Sequence, residues 1–583
     1  MSAPFNIGQA LNEAVAAHGQ GRLREAEKIY ARVLKAASDN FDALNLLGTV
    51  KAQQGHIGEA HRLFNAAVKA NPLAPQGWSN LGQALHALKR SAEALECLDR
   101  ARGLAPDDVN ILYQHANTLL SLDRPGDALA EFQAVLAHAP QHVEARINCG
   151  LAQAALGWPE QALTEFDVAL ALAPGHPGAC YNRGVALIKL RRYEEAVAAN
   201  DAAIAVEAGH VNAWLNRGKA LAQLNRYDEA IASYGEVLAI KKDHADAHFN
   251  QALALLTLGK YQRGFADYEW RWRRTGMAPG KSRGKPLWLG EYPLARKTVL
   301  LHAEQGLGDT IQFARYVPML VAAGAKVVLE VQAELKSLMS RLDGGATVIA
   351  RGEAPGQQNL AFDVHCPLGS LPLALKTEPA AVPAQIPYLS ANGAHLAKWS
   401  AQIGALPRPR IAIAWSGNAS HDNDRNRSIA FERLAPLFPR PNPPPLAGEV
   451  ASMNPLPLAG EGRVGASFIS VQRDLRSADA AALATESRVT HVGAELDDFS
   501  DTAAVLALCD LVIAVDTAAA HLAGAMGRPV WVLVPFAPDW RWTLQGETTP
   551  WYPTARLFRQ TALEDWDGVI ERIGAELARF AQS

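Results

Sequence analysis

The sequence predicts an α-helical solenoid followed by an α/β region of two parallel-sheet halves, and three observations carry that reading. Small residues recur every 34 residues through the first part of the chain: Gly48, Gly82, Ala116, Gly150, Gly184, Gly218 and Ala252 form one column, and Ala26, Ala60, Ala94, Ala128, Ala162, Ala196 and Ala230 another. Thr298 to His302 reads as an apolar strand that runs into a glycine loop and a helix start. Leu511 to Val515 reads as a second buried strand, followed by an Asp516-Thr517 turn, a short Ala/Gly-rich helix, Gly527-Arg528-Pro529 and a further apolar strand over Val530 to Val534.

The step of 34 residues is the tetratricopeptide period. Its small residues let the two helices of a unit approach closely, and Tyr30, Phe64, Phe132, Phe166, Tyr234 and Tyr268, four positions beyond the alanine column, fill the gap between neighbouring units. Pro72, Pro106, Pro140 and Pro174 end the second helix of a unit, because proline cannot continue one. Gly264 breaks the alanine column and marks the last unit as atypical. About eight units are expected over residues 7–278, stacked into a right-handed superhelix with a concave face.

A column of carboxamides runs through these units. Asn80, Asn148, Asn182, Asn216 and Asn250 fall two residues before the Gly/Ala column, with Gln114 standing in once and Leu46 breaking the series. A carboxamide both donates and accepts, so such a ladder can hold the backbone of an extended peptide; it can equally bond to a neighbouring helix. The pattern is similar to the asparagine ladder of O-linked N-acetylglucosamine transferases, which implies a protein or peptide acceptor along the repeat groove.

Composition bounds the rest. The chain has 583 residues, 49% hydrophobic and 20% charged, enough for about three or four domains with full cores. A net charge of −3 gives no electrostatic case for nucleic acid or an acidic membrane as the main partner. Cys97, Cys149, Cys180, Cys366 and Cys509 are scattered without metal-ligand spacing, which suits a reducing compartment. The first residues lack a basic stretch leading into an apolar core, and no run of roughly 18 uncharged apolar residues occurs, so the expected location is the cytoplasm.

Beyond the repeats lies Glu269-Trp270-Arg271-Trp272-Arg273-Arg274. Trp270 and Trp272 are expected to cap the last repeat, the basic residues to form either a solvated face or a binding patch, and the boundary to fall near residue 280. In the first α/β half, residues 285–395, the loop Ala303-Glu304-Gln305-Gly306-Leu307-Gly308-Asp309-Thr310 follows the strand. Gly306 and Gly308 permit close backbone approach there; Asp309 caps the helix in one reading and faces a substrate in the other.

The second half covers residues 405–583. Ile411 to Trp415 reads as a strand ending in a polar loop that holds Ser416, Gly417, Asn418 and, further on, Arg427. An arginine fork suits phosphate oxygens, although ion pairing with Asp422 and Asp424 would use it equally well. Residues 440–466 repeat Pro-Leu-Ala-Gly-Glu among further prolines and are expected to form a flexible surface insertion with no chemistry. Asp498, in an acidic loop, either holds a donor ribose or caps the next helix. Asp516 and Thr517 end a strand where a helix start offers free N–H groups to an anion, with His521 one turn on. The aromatics of Asp539-Trp540-Arg541-Trp542 and Trp551-Tyr552, past the last expected strand, either stack on a base or sugar or pack against the final helix.

Asp516-Thr517-x-x-x-His521-Leu-Ala-Gly-Ala-x-Gly-x-Pro resembles the nucleotide-sugar-binding segment of GT-B glycosyltransferases, above all the heptosyltransferase family and the tetratricopeptide-linked transferases related to it. The Gly-x-Gly-Asp of Gly306 to Asp309 is similar to the same family's pattern, and this implies Asp309 as general base and Arg427 in the place of its basic donor-binding residue. One departure is Ala518, where the family pattern usually has Gly, which bears on how closely the backbone can approach a diphosphate. The resemblance implies two Rossmann-like domains, a nucleotide-sugar donor, and inverting transfer without metal or other cofactor. Its rival from another class is a scaffold whose α/β region is a degenerate sugar-nucleotide fold, and His302, His521 and the loop around Asp498 compete with Asp309 as base.

Overall fold

The computed structural model describes residues 5–274, 284–304, 306–352, 361–421, 423–438 and 466–582. Most of the proline-rich insertion, together with Gln305 and Asp422, therefore lies outside the described residues. The chain divides into two compact units, Met1–Ala220 and Leu221–Ser583.

Sixteen helices run from Ile7 to Tyr268 among the described residues, in eight antiparallel pairs. The first helix of each pair has 13 residues and the second 14, except that the last, Tyr261–Tyr268, has only 8 and continues as a 3-10 turn over Glu269–Arg273. The small-residue column has a direct steric cause: a Cβ at Gly48 or Gly150 would stand 2.6 or 2.7 Å from the ring of Phe64 or Phe166, the aromatic of the same unit's second helix. Those rings therefore fill the space inside a unit as well as the seam to the next. Two further columns share the period. The residue closing the turn inside each unit has positive φ, glycine at Gly21, Gly55, Gly157 and Gly259 but Lys89, Asp123, Arg191 and Asn225 elsewhere. First helices are capped by Asn6, Asn40 and Asp108, then by His142, His176, His210 and His244, whose Nδ1 atoms accept from the backbone N–H three residues on.

In the second unit two all-parallel sheets follow the last repeat helices. β1 (Thr298–His302), β2 (Lys326–Val331), β3 (Thr347–Ala350) and β4 (Val364–Pro367) form the first, in order β3-β2-β1-β4. β5 (Arg410–Ala414), β6 (Ser467–Ser470), β7 (Val489–His491), β8 (Leu511–Val515), β9 (Val530–Val534) and β10 (Ala555–Arg559) form the second, in order β10-β9-β8-β5-β6-β7. In both, the order reverses beside the first strand of the half, which puts a switch point at β1 and another between β5 and β8. β10 was not expected from sequence, so Trp551 and Tyr552 precede a strand rather than trailing the last one.

The packing boundary differs from the expected one near residue 280. Tyr261, Phe265 and Tyr268 of the last repeat are buried in the same apolar core as Phe313 of the first α/β half and Trp540 and Trp551 of the second. Each such aromatic contributes about 1.5–3 kcal/mol by leaving water, so the final helices belong energetically with the α/β region. Arg271 is fully buried rather than solvated: it donates to Glu304 and Ser370 and pairs with Glu269 at 2.7 Å. Trp270 stacks on His248 with ring centroids 3.9 Å apart.

Candidate functional site

The site is built where β1, β5 and β8 end. Successive parallel strands expose their carboxyl ends on one edge, and here the helices that follow β1 and β8, Leu307–Phe313 and Ala518–Ala525, pack against each other. Glycines permit that packing. A Cβ at Gly308 would lie 2.8 Å from the His521 ring, one at Gly417 2.6 Å from the Arg427 guanidinium, and one at Gly524 2.3 Å from the Tyr552 ring. Gly308 thus makes room for a histidine of the other half rather than for a ligand.

Asp309 is the third residue of its helix and half-buried. One carboxylate oxygen accepts from the Gly306 N–H at 3.0 Å, and the other is ion-paired with Arg541 of the opposite half. His521 is buried, its Nδ1 2.9 Å from the Tyr552 hydroxyl, its Nε2 3.6 Å from Asp516, and its ring stacked on Trp542. Burial alone would raise the Asp516 carboxyl; hydrogen bonding and charge from His521, with the charge of Arg427, outweigh it and hold Asp516 well below the usual carboxylate range.

Between β5 and β8 the backbone is held by hydrogen bonds, while three side-chain polar atoms are left without a partner. Gln472 clamps both the N–H and the carbonyl of Ser416, at 3.2 and 3.0 Å, and Arg427 donates to the Asp516 carbonyl at 3.0 Å. The expected alternative for Arg427, pairing with Asp424, does not occur: Asp424 pairs with Arg476, and Arg427 has no ion pair among the described residues. Ser416 Oγ, Thr517 Oγ1 and Arg427 Nε are buried without a hydrogen-bond partner. Because Ala414 pairs with Ala514, Ser416 and Thr517 leave neighbouring strands almost level, at the start of the Ala518–Ala525 helix. Three orphaned donors and a helix N-terminus thus share one place.

Asp309, Ser416, Gly417, Arg427, Asp516, Thr517 and His521 are brought together. Asn418 is not: it is exposed and its Oδ1 closes a local turn by accepting from Ser420. Asp498 follows β7, two strands from β5 in the sheet order, and caps the Phe499–Leu508 helix by accepting from the Ser500 N–H at 2.7 Å. His302 is buried at the end of β1, 3.2 Å from His365. No group of three or more metal-ligating side chains occurs among the described residues. Trp540, Trp542, Trp551 and Tyr552 are fully or almost fully buried and unavailable for stacking on a ligand. Arg541 and Gln312 were not expected as site residues: Gln312 lies on the Asp309 helix, but no local signal links Arg541 to that loop, 232 residues away.

A family model described as glycosyltransferase family 9 (heptosyltransferase) matches residues 468–562, which run from β6 into the end of β10. Tetratricopeptide repeat models match 11–55, 46–109, 113–177, 177–210 and 218–259. The chain carries tetratricopeptide repeats and a glycosyltransferase family 9 domain. The family 9 match contains Asp498, Asp516, Thr517, His521 and Arg541, whereas Asp309 and Arg427 precede it. Among curated relatives, protein FlbA of Caulobacter vibrioides is 27% identical over 317 residues, 51% of this chain and 48% of FlbA. Tetratricopeptide repeat protein 8 of Caenorhabditis elegans is 27% identical over 150 residues, 25% of this chain and 30% of that protein. The chain thus spans half or less of the length of these relatives. A solved tetratricopeptide repeat protein from Parabacteroides merdae aligns over 43% of this chain and 98% of its own, with 16% identity and a TM-score of 0.35. No helix among the described residues is long and apolar enough to cross a membrane.

Proposed function

We propose that the α/β region transfers a sugar from a nucleotide-sugar donor to an acceptor, with its two halves acting as the GT-B pair and a protein as the acceptor class the repeats suit best. The observation that carries this is the cluster of unpartnered, buried Ser416, Thr517 and Arg427 donors at the start of the Ala518–Ala525 helix. Buried polar atoms are seldom left unpaired, and hydroxyl and guanidinium donors left so at a helix start suit the oxygens of a diphosphate. In the transfer, an acceptor oxygen or amide nitrogen bonds to the anomeric carbon while Asp309 takes its proton. The bond to the diphosphate oxygen breaks with inversion, and Arg427 and the helix start stabilise the leaving nucleoside diphosphate. Asp516, kept ionised and pointing at His521, orients that histidine beside the same site. In this reading the charge on the leaving group is met by Arg427 and backbone donors.

The test is a thermal-shift series with UDP, ADP and their sugar conjugates. A ligand at about 100 times its Kd stabilises by about 2.7 kcal/mol, and Arg427→Gln is expected to abolish the shift, while loss of its bond to the Asp516 carbonyl costs the free protein about 0.5–1.5 kcal/mol. A shift that survives Arg427→Gln and Thr517→Ala together would place the anion elsewhere, and no shift with any nucleotide would favour the scaffold reading.

A further inference from the structure

The segment Pro535 to Trp542, just after β9, lies between the last repeats and the Asp309 loop. On one side it is seated on the repeats. Trp540 packs edge-on against Tyr261 and Phe265, with centroids 6.2 and 5.6 Å away, and Asn225, at the turn of the seventh repeat, donates to the Phe536 carbonyl at 2.8 Å. Behind it Trp551 donates to the Tyr261 hydroxyl at 3.1 Å. On the other side the segment presents Arg541, only 7% exposed. Both oxygens of Asp539 accept from Nη1, at 2.9 and 3.1 Å, while Gln312 accepts from Nε and Asp309 from Nη2.

All three guanidinium nitrogens are therefore engaged, so Arg541 has little left to offer a diphosphate. A planar guanidinium held at Nη1 by Asp539 presents its Nε and Nη2 edge to Gln312 and Asp309 in a fixed direction, which a lysine ammonium could not do. The Asp309 carboxylate is pinned at both oxygens, by Gly306 and by Arg541, yet each oxygen keeps a second lone pair for an incoming proton.

We propose that Arg541 is a positioning residue for the transfer, through which the last two repeats set the direction of the Asp309 carboxylate. This rests on the reading of Asp309 as the base. The repeats are then part of the reaction centre's framework, in addition to any acceptor they collect.

The experiment uses the full chain and follows nucleoside diphosphate release from UDP-N-acetylglucosamine and from ADP-heptose in water. There a water oxygen bonds to the anomeric carbon, its proton passes to Asp309, and the bond to the diphosphate oxygen breaks. Arg541→Gln is expected to lower kcat by about ten- to hundred-fold, as small misplacements of a reacting group do, while donor KM stays within about twofold. Arg541→Lys should fall between, and Arg541→Gln should add nothing on an Asp309→Asn background. Where Arg541→Gln does not fold, Arg541→Gln/Asp539→Asn removes both charges and is measured instead. Unchanged kcat, a raised donor KM with kcat preserved, or losses that multiply with Asp309→Asn would overturn the proposal. Wild-type release by Asp309→Asn alone removes the base on which it stands, and release from neither donor by the unaltered chain sinks the transfer reading with it.

Discussion

Asp309 shows how a single carboxylate can hold several roles at once. It completes a helix start, forms an ionic link between the two α/β halves, and stands beside His521 through Gly308. Replacing it with Asn keeps the shape and the acceptor for Gly306 but removes the charge facing Arg541. General-base catalysis contributes about 10² to 10⁴ in rate, so Asp309→Asn should lower turnover by that order with donor affinity nearly unchanged. Breaking a buried ion pair from one side costs about 3–5 kcal/mol; with the Asp309 side chain 23% exposed, the loss should sit at or below the low end of that range. Turnover is therefore to be compared well below the variant's melting temperature, and near wild-type turnover there would move the base to His521 or His302. That Asp309 opens a helix after a glycine loop was readable from its neighbours alone. That Arg541 faces it was not, because the two are joined only by how the halves pack.

At the scale of elements, regular structure was legible wherever one period dominates. The helix pairs follow from a step repeated in several residue columns, and the buried strands from unbroken apolar runs. β10 escaped because Ala555-Arg-Leu-Phe-Arg559, at a sheet edge, carries neither an unbroken apolar run nor a strict alternation of apolar and polar residues. The caps escaped too, since histidine is not a residue that announces a helix start, yet His142, His176, His210 and His244 perform that task at equal spacing. Each accepts through an unprotonated Nδ1 from the backbone N–H three residues on; at Ala213 and Ala247 that N–H also donates to the carbonyl of the capping histidine, whereas at Ala145 and Ala179 the imidazole supplies the acceptor. His142→Ala should cost about 0.5–1 kcal/mol, with faster amide exchange at Ala145 as the local signature. His142→Asp should restore protection, because a carboxylate caps equally well and suits the positive end of the helix. Equal exchange at Ala145 in all three proteins would show that the imidazole contact carries no weight.

For the whole molecule, the question is whether the repeats hold an acceptor, and the carboxamide column divides in a way the sequence could not show. Asn80 donates to Asn45 at 2.9 Å, and Asn148 to Asn117 and the Tyr113 hydroxyl at 2.8 and 3.1 Å, so both amides are occupied by neighbouring helices. Asn182, Asn216 and Asn250 are half-buried on their helices and make no side-chain hydrogen bond to another described residue. The spacing of the column fixes where each amide sits but not what it bonds to: Tyr181 precedes Asn216 by the same 35 residues as Tyr113 precedes Asn148, yet of these two rungs Asn148 is the one bonded, to Tyr113 and Asn117. The two groups should therefore answer differently. Asn148→Ala removes bonds worth about 0.5–1.5 kcal/mol each, so it should lower stability while sparing transfer to a protein. Asn182→Ala, Asn216→Ala and Asn250→Ala together should leave the melting temperature and donor hydrolysis unchanged and weaken transfer to a protein acceptor, visible as a rise in acceptor KM. Loss of donor hydrolysis in the triple variant would mean that these residues support the fold. Unchanged acceptor KM would leave the repeats without a peptide-holding role and point to an acceptor bound entirely within the α/β region.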